Sequence, residues 1–153
     1  MTSPNPDRPV PTRLPAALQE VVEAFQGAPR SIVLELLLEY ADAVPPLPPF
    51  LADHPELLER VPECQTPFFL RVEVTDDLHV TLWFDCPPEA PTTRAFAGIL
   101  AAGLSGSTAD EVLAVPDDFY LAMGLGEVIS PLRLRGMAAI LGRLKRQVRE
   151  HQP

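Results

Sequence analysis

The sequence predicts an α+β fold, a small antiparallel sheet with helices packed against it, and three observations carry that prediction. Residues 68–75 and 78–84 alternate apolar and polar side chains, the segments on either side repeat apolar residues at helical spacing, and no strand–helix–strand unit recurs to build a parallel sheet.

The elements follow in order. Residues 1–12 hold Pro4, Pro6, Pro9 and Pro11 and almost nothing apolar, so they read as a disordered proline-rich tail with little to bury against the cost of ordering. Leu14, Leu18, Val21, Val22 and Phe25 then recur at helical spacing, with Thr12 as N-cap and Gly27 as stop. A second helix runs from Pro29 or Arg30 to Ala43, with Ile32, Val33, Leu36, Leu37 and Tyr40 inward and Glu35, Glu39 and Asp42 in water. The prolines at 45, 46, 48 and 49 make the next segment a stiff, extended connector. Asp53 is placed to cap a short helix over residues 55–60, and Pro62 breaks the chain just before Cys64.

In the first strand Phe68, Leu70, Val72 and Val74 share one face, and Phe69, Arg71, Glu73 and Thr75 the other. Leu78, Val80, Leu82 and Phe84 repeat the pattern, and Asp76-Asp77 between the two reads as a two-residue hairpin turn. Helical patterns at 92–104, 108–115 and 132–151 supply the cover for the sheet's apolar face; in the last, Met137, Ile140, Leu141, Leu144 and Val148 form the buried stripe.

The 153 residues, 46% of them hydrophobic and 22% charged, are enough for one packed domain over residues 13–151. No apolar run approaches the roughly 20 residues of a membrane helix, and no charged start with an apolar run opens the chain, so a cytoplasmic protein without a membrane partner is expected. Two cysteines do not make a disulfide framework, so both thiols should be reduced. A net charge of −9 opposes nucleic-acid binding. The charge is uneven: Arg133, Arg135, Arg143, Lys145, Arg146 and Arg149 follow Pro131, accompanied by one acid, Glu150. Such a run is either a solvated helix end or a docking face for an acidic partner. Lys145, the only lysine, is placed on the solvated face.

There is no glycine-rich phosphate loop, GxSxG, HExxH or CxxC, and the spacing of Cys64, Cys86, His54 and His79 does not favour a metal site. Cys64 is the residue with chemical potential. A free cysteine commonly behaves as a small buried hydrophobe. This one, however, sits among Glu63, Gln65 and Thr66 between Pro62 and Pro67, in a short polar loop rather than on an apolar face. The Glu63 carboxylate opposes ionisation of the thiol, so activation has to come from elsewhere. Cys86, in Asp85-Cys86-Pro87-Pro88, is a strand-end residue or, if it lies beside Cys64, a resolving thiol.

Four stretches resemble one known family. They are Glu35 to Asp42 with Leu47-Pro48; Val61-Pro62-Glu63-Cys64-Gln65-Thr66; Glu89-Ala90-Pro91 with Arg94; and Ser130-Pro131-Leu132-Arg133-Leu134-Arg135-Gly136. In this order, from Leu14 to Arg149, they resemble SufE, the sulfur-acceptor partner of cysteine desulfurases in iron-sulfur cluster assembly. The resemblance implies an α+β fold shared with iron-sulfur scaffold proteins of the IscU kind, and Cys64 as the persulfide acceptor. Gln65, Glu89, Arg94, Arg133 and Arg135 follow as residues that bind the partner or support the loop, Arg133 by pairing with a carboxylate. It further implies a SufS-type cysteine desulfurase as partner, a downstream Fe-S scaffold as recipient, and no cofactor in this chain, pyridoxal phosphate belonging to the partner. Three departures stand out: Glu63 where the family has glycine, Thr66-Pro67 in a stretch that is otherwise mobile, and Val128 for a polar residue. The rival expectations are an adaptor that docks the desulfurase or scaffold without carrying sulfur, and a redox protein using the Cys64 and Cys86 thiols.

Overall fold

The computed structural model describes residues 14–151, so the proline-rich tail and the Thr12 cap lie outside the described residues. Helix α1 (Ala16–Phe25) follows Pro15 and ends before Gly27, whose φ of +71° reverses the chain at little cost because glycine has no Cβ. Helix α2 (Arg30–Asp42) buries Val33, Leu37 and Ala41, a strict four-residue repeat and therefore a narrow stripe. Ile32, expected inward, falls beside that stripe and is 41% exposed.

The connector is extended from Val44 to Pro48, as its prolines require, but Pro49 then starts a short helix α3 (Pro49–Ala52) at the position where a missing N–H costs nothing. Asp53 ends this helix instead of capping the next one. The helix expected over 55–60 is replaced by a single 3-10 turn, Pro55–Leu57, followed by a strand, β1 (Glu59–Arg60).

Strands β2 (Phe69–Val74) and β3 (Val80–Asp85) pair antiparallel from Phe69 opposite Asp85 to Val74 opposite Val80, and β1 adds to the free side of β2 through Arg60 opposite Phe69. The alternation is realised, with Phe68, Leu70, Val72, Val80, Leu82 and Phe84 all buried. The hairpin turn is one residue longer than expected. Leu78 N donates to Thr75 O at 2.9 Å and Thr75 N to His79 O at 2.8 Å, so Asp76, Asp77 and Leu78 form the loop. Leu78 takes the left-handed conformation at φ +63° and is exposed rather than inward. A three-residue hairpin needs one residue in that region, and neither neighbour is a glycine.

Helix α4 (Pro91–Leu104) lies at the centre and buries nine of its fourteen residues, which makes it a core helix rather than an amphipathic cover. Two glycines let its neighbours approach. A Cβ on Gly98 would stand 1.9 Å from the Tyr40 carbonyl oxygen of α2, and one on Gly103 2.6 Å from Leu18 Cδ1 of α1. The turn after α4 covers the outer edge of β3: Val80 N donates to Ser107 O at 2.8 Å, and Gly106 N to Val80 O at 2.7 Å. Helix α5 (Ala109–Leu113) starts in a capping box of Thr108 and Glu111.

Helix α6 (Pro131–Glu150) opens with Ser130 Oγ accepting from Arg133 N at 3.4 Å, and it buries the expected stripe of Met137, Ile140, Leu141, Leu144 and Val148. Lys145 overturns the expectation of a solvated side chain: it is only 5% exposed and its ammonium donates to the Val115 carbonyl and to Asp117 Oδ1, the latter at 2.6 Å. Its stem adds to the apolar face while the charge reaches acceptors at the far edge. Gln147 is also buried and satisfied. Its Oε1 accepts from Val72 N at 2.8 Å, where the two-residue β1 has already ended and leaves the side of β2 open.

Candidate functional site

The loop bearing Cys64 closes a hairpin of its own. It joins β1 to β2, and Val61 N donates to Phe68 O at 2.8 Å across its base, so residues 62–67 project from a fixed stem. Within it Cys64 N donates to Val61 O at 3.2 Å, a tight turn that points the thiol inward against α6. Gly136 makes the room: its carbonyl lies 4.0 Å from Cys64 Sγ, and a Cβ there would approach the sulfur to 3.4 Å. Gly136 of the Ser-Pro motif, which was not among the expected site residues, thus lies directly against the thiol.

The thiol faces a cavity of about 100 Å³ whose walls include Gln65, Glu89, Thr92, Arg133, Met137 and Ile140. Cys64, Gln65, Glu89 and Arg133, expected to act together, therefore meet at one place. Arg133 does not pair with a carboxylate as expected: its Nη1 donates to Thr92 Oγ1 at 3.1 Å and joins the first turn of α6 to that of α4.

Arg94 stands behind the cavity and not in it. Its Nε donates to Ala41 O at 2.9 Å and its Nη1 to Cys86 O at 2.8 Å, fastening the end of α2 and the end of β3 to α4. Arg135 is exposed on the outer side of α6, away from the cavity. Cys86 is buried in the core with Arg94 Nη1 at 3.9 Å from its sulfur, and both cysteines are free thiols.

Burial pushes the Cys64 thiol up to about 11, and the Glu63 carboxylate and Cys86 add to the effect while Arg143 opposes it. At neutral pH the thiol is protonated in this position. Arg143 was not singled out in the sequence. Its Nη2 and Nε donate to the two Glu63 oxygens at 2.6 and 3.2 Å, and its Nη1 to Glu59 Oε2 at 2.9 Å. Glu59 also accepts from Arg146 and, at 2.9 Å, from Gln147 Nε2. Much of the basic run on α6 is therefore consumed within the molecule, neither simply solvated nor left as a docking face. These partners lie about eighty positions away in sequence, beyond the reach of spacing rules.

Among the described residues no cluster of three potential metal ligands is present, and no helix is long and apolar enough to cross a membrane. Comparison with known proteins agrees with the motifs. The family model SufE, described as an Fe-S metabolism associated domain, matches residues 19–148. An uncharacterized SufE-like protein of Mycobacterium tuberculosis strain H37Rv is 54% identical over 140 residues, covering 92% of this chain and 96% of that protein. The chloroplastic/mitochondrial SufE-like protein 1 of Arabidopsis thaliana is 27% identical over 129 residues, 84% of this chain but only 33% of that longer protein. The solution structure of a hypothetical protein from Thermus thermophilus superposes with a TM-score of 0.80 at 47% identity, covering 90% of this chain and 96% of that one. With a family model spanning most of its length, close relatives of matching size and the same fold, the chain belongs to the SufE family of Fe-S metabolism associated domains.

Proposed function

We propose that Cys64 accepts the outer sulfur of a persulfide carried by a SufS-type cysteine desulfurase, and that the protein stimulates that enzyme and relays the sulfur to a cytoplasmic Fe-S scaffold. The observation that carries this reading is the thiol itself, set at the tip of the β1–β2 loop against Gly136 and facing a small cavity. In the transfer the Cys64 thiolate attacks the terminal sulfur of the partner's persulfide. A new S–S bond forms on Cys64, the partner's S–S bond breaks, and its cysteine leaves as a thiolate that takes up the proton Cys64 gave away. Sulfur moves without any external oxidant or reductant.

Two demands on the thiol pull in opposite directions. A persulfide is easily reduced or oxidised by small molecules, which favours the sheltered position. Attack needs a thiolate, which burial disfavours, so the loop ionises its sulfur only after swinging out to the partner's surface. The stem formed by Val61 and Phe68 supplies a fixed base for such a movement.

The test is mass spectrometry after incubation with cysteine and a desulfurase. The peptide containing Cys64 should gain the mass of one sulfur, and Cys64→Ser should lose both this gain and the stimulation of the desulfurase. Stimulation by Cys64→Ser at the wild-type level would establish the adaptor instead. Cys86→Ala should still load sulfur; loss of loading in a folded variant would favour dithiol redox chemistry.

A further inference from the structure

Glu63 is the residue next to the thiol in the chain, and its carboxylate makes two bonds to Arg143, at 2.6 and 3.2 Å. Arg143 lies on the face of α6 that also carries Gly136 and Ile140, spaced at i, i+4 and i+7, so the resting place of the sulfur and the partner of Glu63 are on one rigid surface. The arginine is itself set in place. Glu59 on β1 takes its Nη1 at 2.9 Å, and Glu59 is held in turn by Arg146 and Gln147, the latter anchored to the sheet at Val72 N. The chain of contacts thus runs from the sheet to the Cys64 loop.

We propose that the Glu63–Arg143 pair is a latch that holds the Cys64 loop closed, with Arg143 as a positioning residue for the thiol. Cys64 cannot leave its place over Gly136 without drawing Glu63 off the guanidinium. When it does, Arg143 keeps Glu59, and Glu63, already exposed, stays in water, so neither charge is stranded and the opening is reversible. The latch draws its purpose from the reading of Cys64 as sulfur acceptor and rests on it to that extent.

The experiment reads loop opening in the free protein, with no desulfurase present, so failure of the latch and failure of sulfur acceptance are separate results. Cys64 is alkylated with iodoacetamide and followed by mass spectrometry of its peptide. Arg143→Gln is the deciding variant because two effects predict opposite signs. Removing the cation makes the thiol harder to ionise, which by itself slows alkylation; releasing the latch exposes the sulfur and accelerates it. We expect acceleration of roughly twofold to fivefold, the range for breaking an exposed charge pair of good geometry. Arg143→Lys, which cannot grip both carboxylates in the same way, should fall between. An unchanged or slower rate in Arg143→Gln overturns the latch. Should that variant fail to fold, Glu63→Gln is read by hydrogen exchange of the amides at 63–66, which thiol ionisation does not affect; exchange no faster than wild type overturns the proposal equally.

Discussion

Glycine serves two regions of this molecule in opposite ways. In α4, Gly98 meets the backbone carbonyl of Tyr40, which cannot rotate aside, and the space for a Cβ is only 1.9 Å. In α6, Gly136 meets the Cys64 sulfur at 3.4 Å, at the end of a side chain on a loop. The first contact fixes the crossing of two core helices; the second is the surface against which the Cys64 thiol rests. Hard contacts define the frame, and a soft one defines the site. Between the two lies the network of Gln147, Glu59 and Arg143, which transmits the position of the frame to the loop.

Three substitutions put this contrast to the test. Gly98→Ala has the largest expected effect, a loss of about 3 kcal/mol, because α2 must move away from α4 to admit a methyl group. Urea unfolding should show a lower midpoint with an unchanged slope, and a variant as stable as wild type would mean that the helices do not cross as closely as described. Gln147→Ala comes next. It leaves the Val72 amide without its partner in the interior, at a cost of about 2 kcal/mol by the same measurement, and it frees Glu59 on one side. Gly136→Ala has the smallest effect on stability, within about 1 kcal/mol of wild type and favourable in sign if the loop gives way, because alanine is the better helix former. Its consequence belongs to the site: the sulfur must shift by a few tenths of an ångström, and alkylation of Cys64 should accelerate while the melting temperature holds. A large loss of stability instead would place Gly136 with the frame.

Much of this was legible from the residues. The alternation at 68–75 and 78–84 requires a sheet with one buried face, and the stripes on α1 and α6 require helices with one buried side, because both patterns follow from local geometry with a fixed period. The loop around Cys64 was legible from its prolines and polar residues, and its partner motif from Ser130-Pro131 and Gly136. What escaped was short or distant. β1 is two residues long and has no period to detect. Leu78 carries a positive φ that its residue type does not announce.

The class of fold, the order of the main elements, the family and the place of Cys64 in a loop could be read along the chain, since each depends on side-chain pattern or motif. That Lys145 is buried on the Val115 carbonyl, that Arg133 bonds Thr92 rather than an acid, and that Arg143 grips Glu63 beside the thiol emerged from the packed fold alone. Charged side chains choose partners by distance in space, and folding brings together groups that the chain keeps some thirty to eighty residues apart.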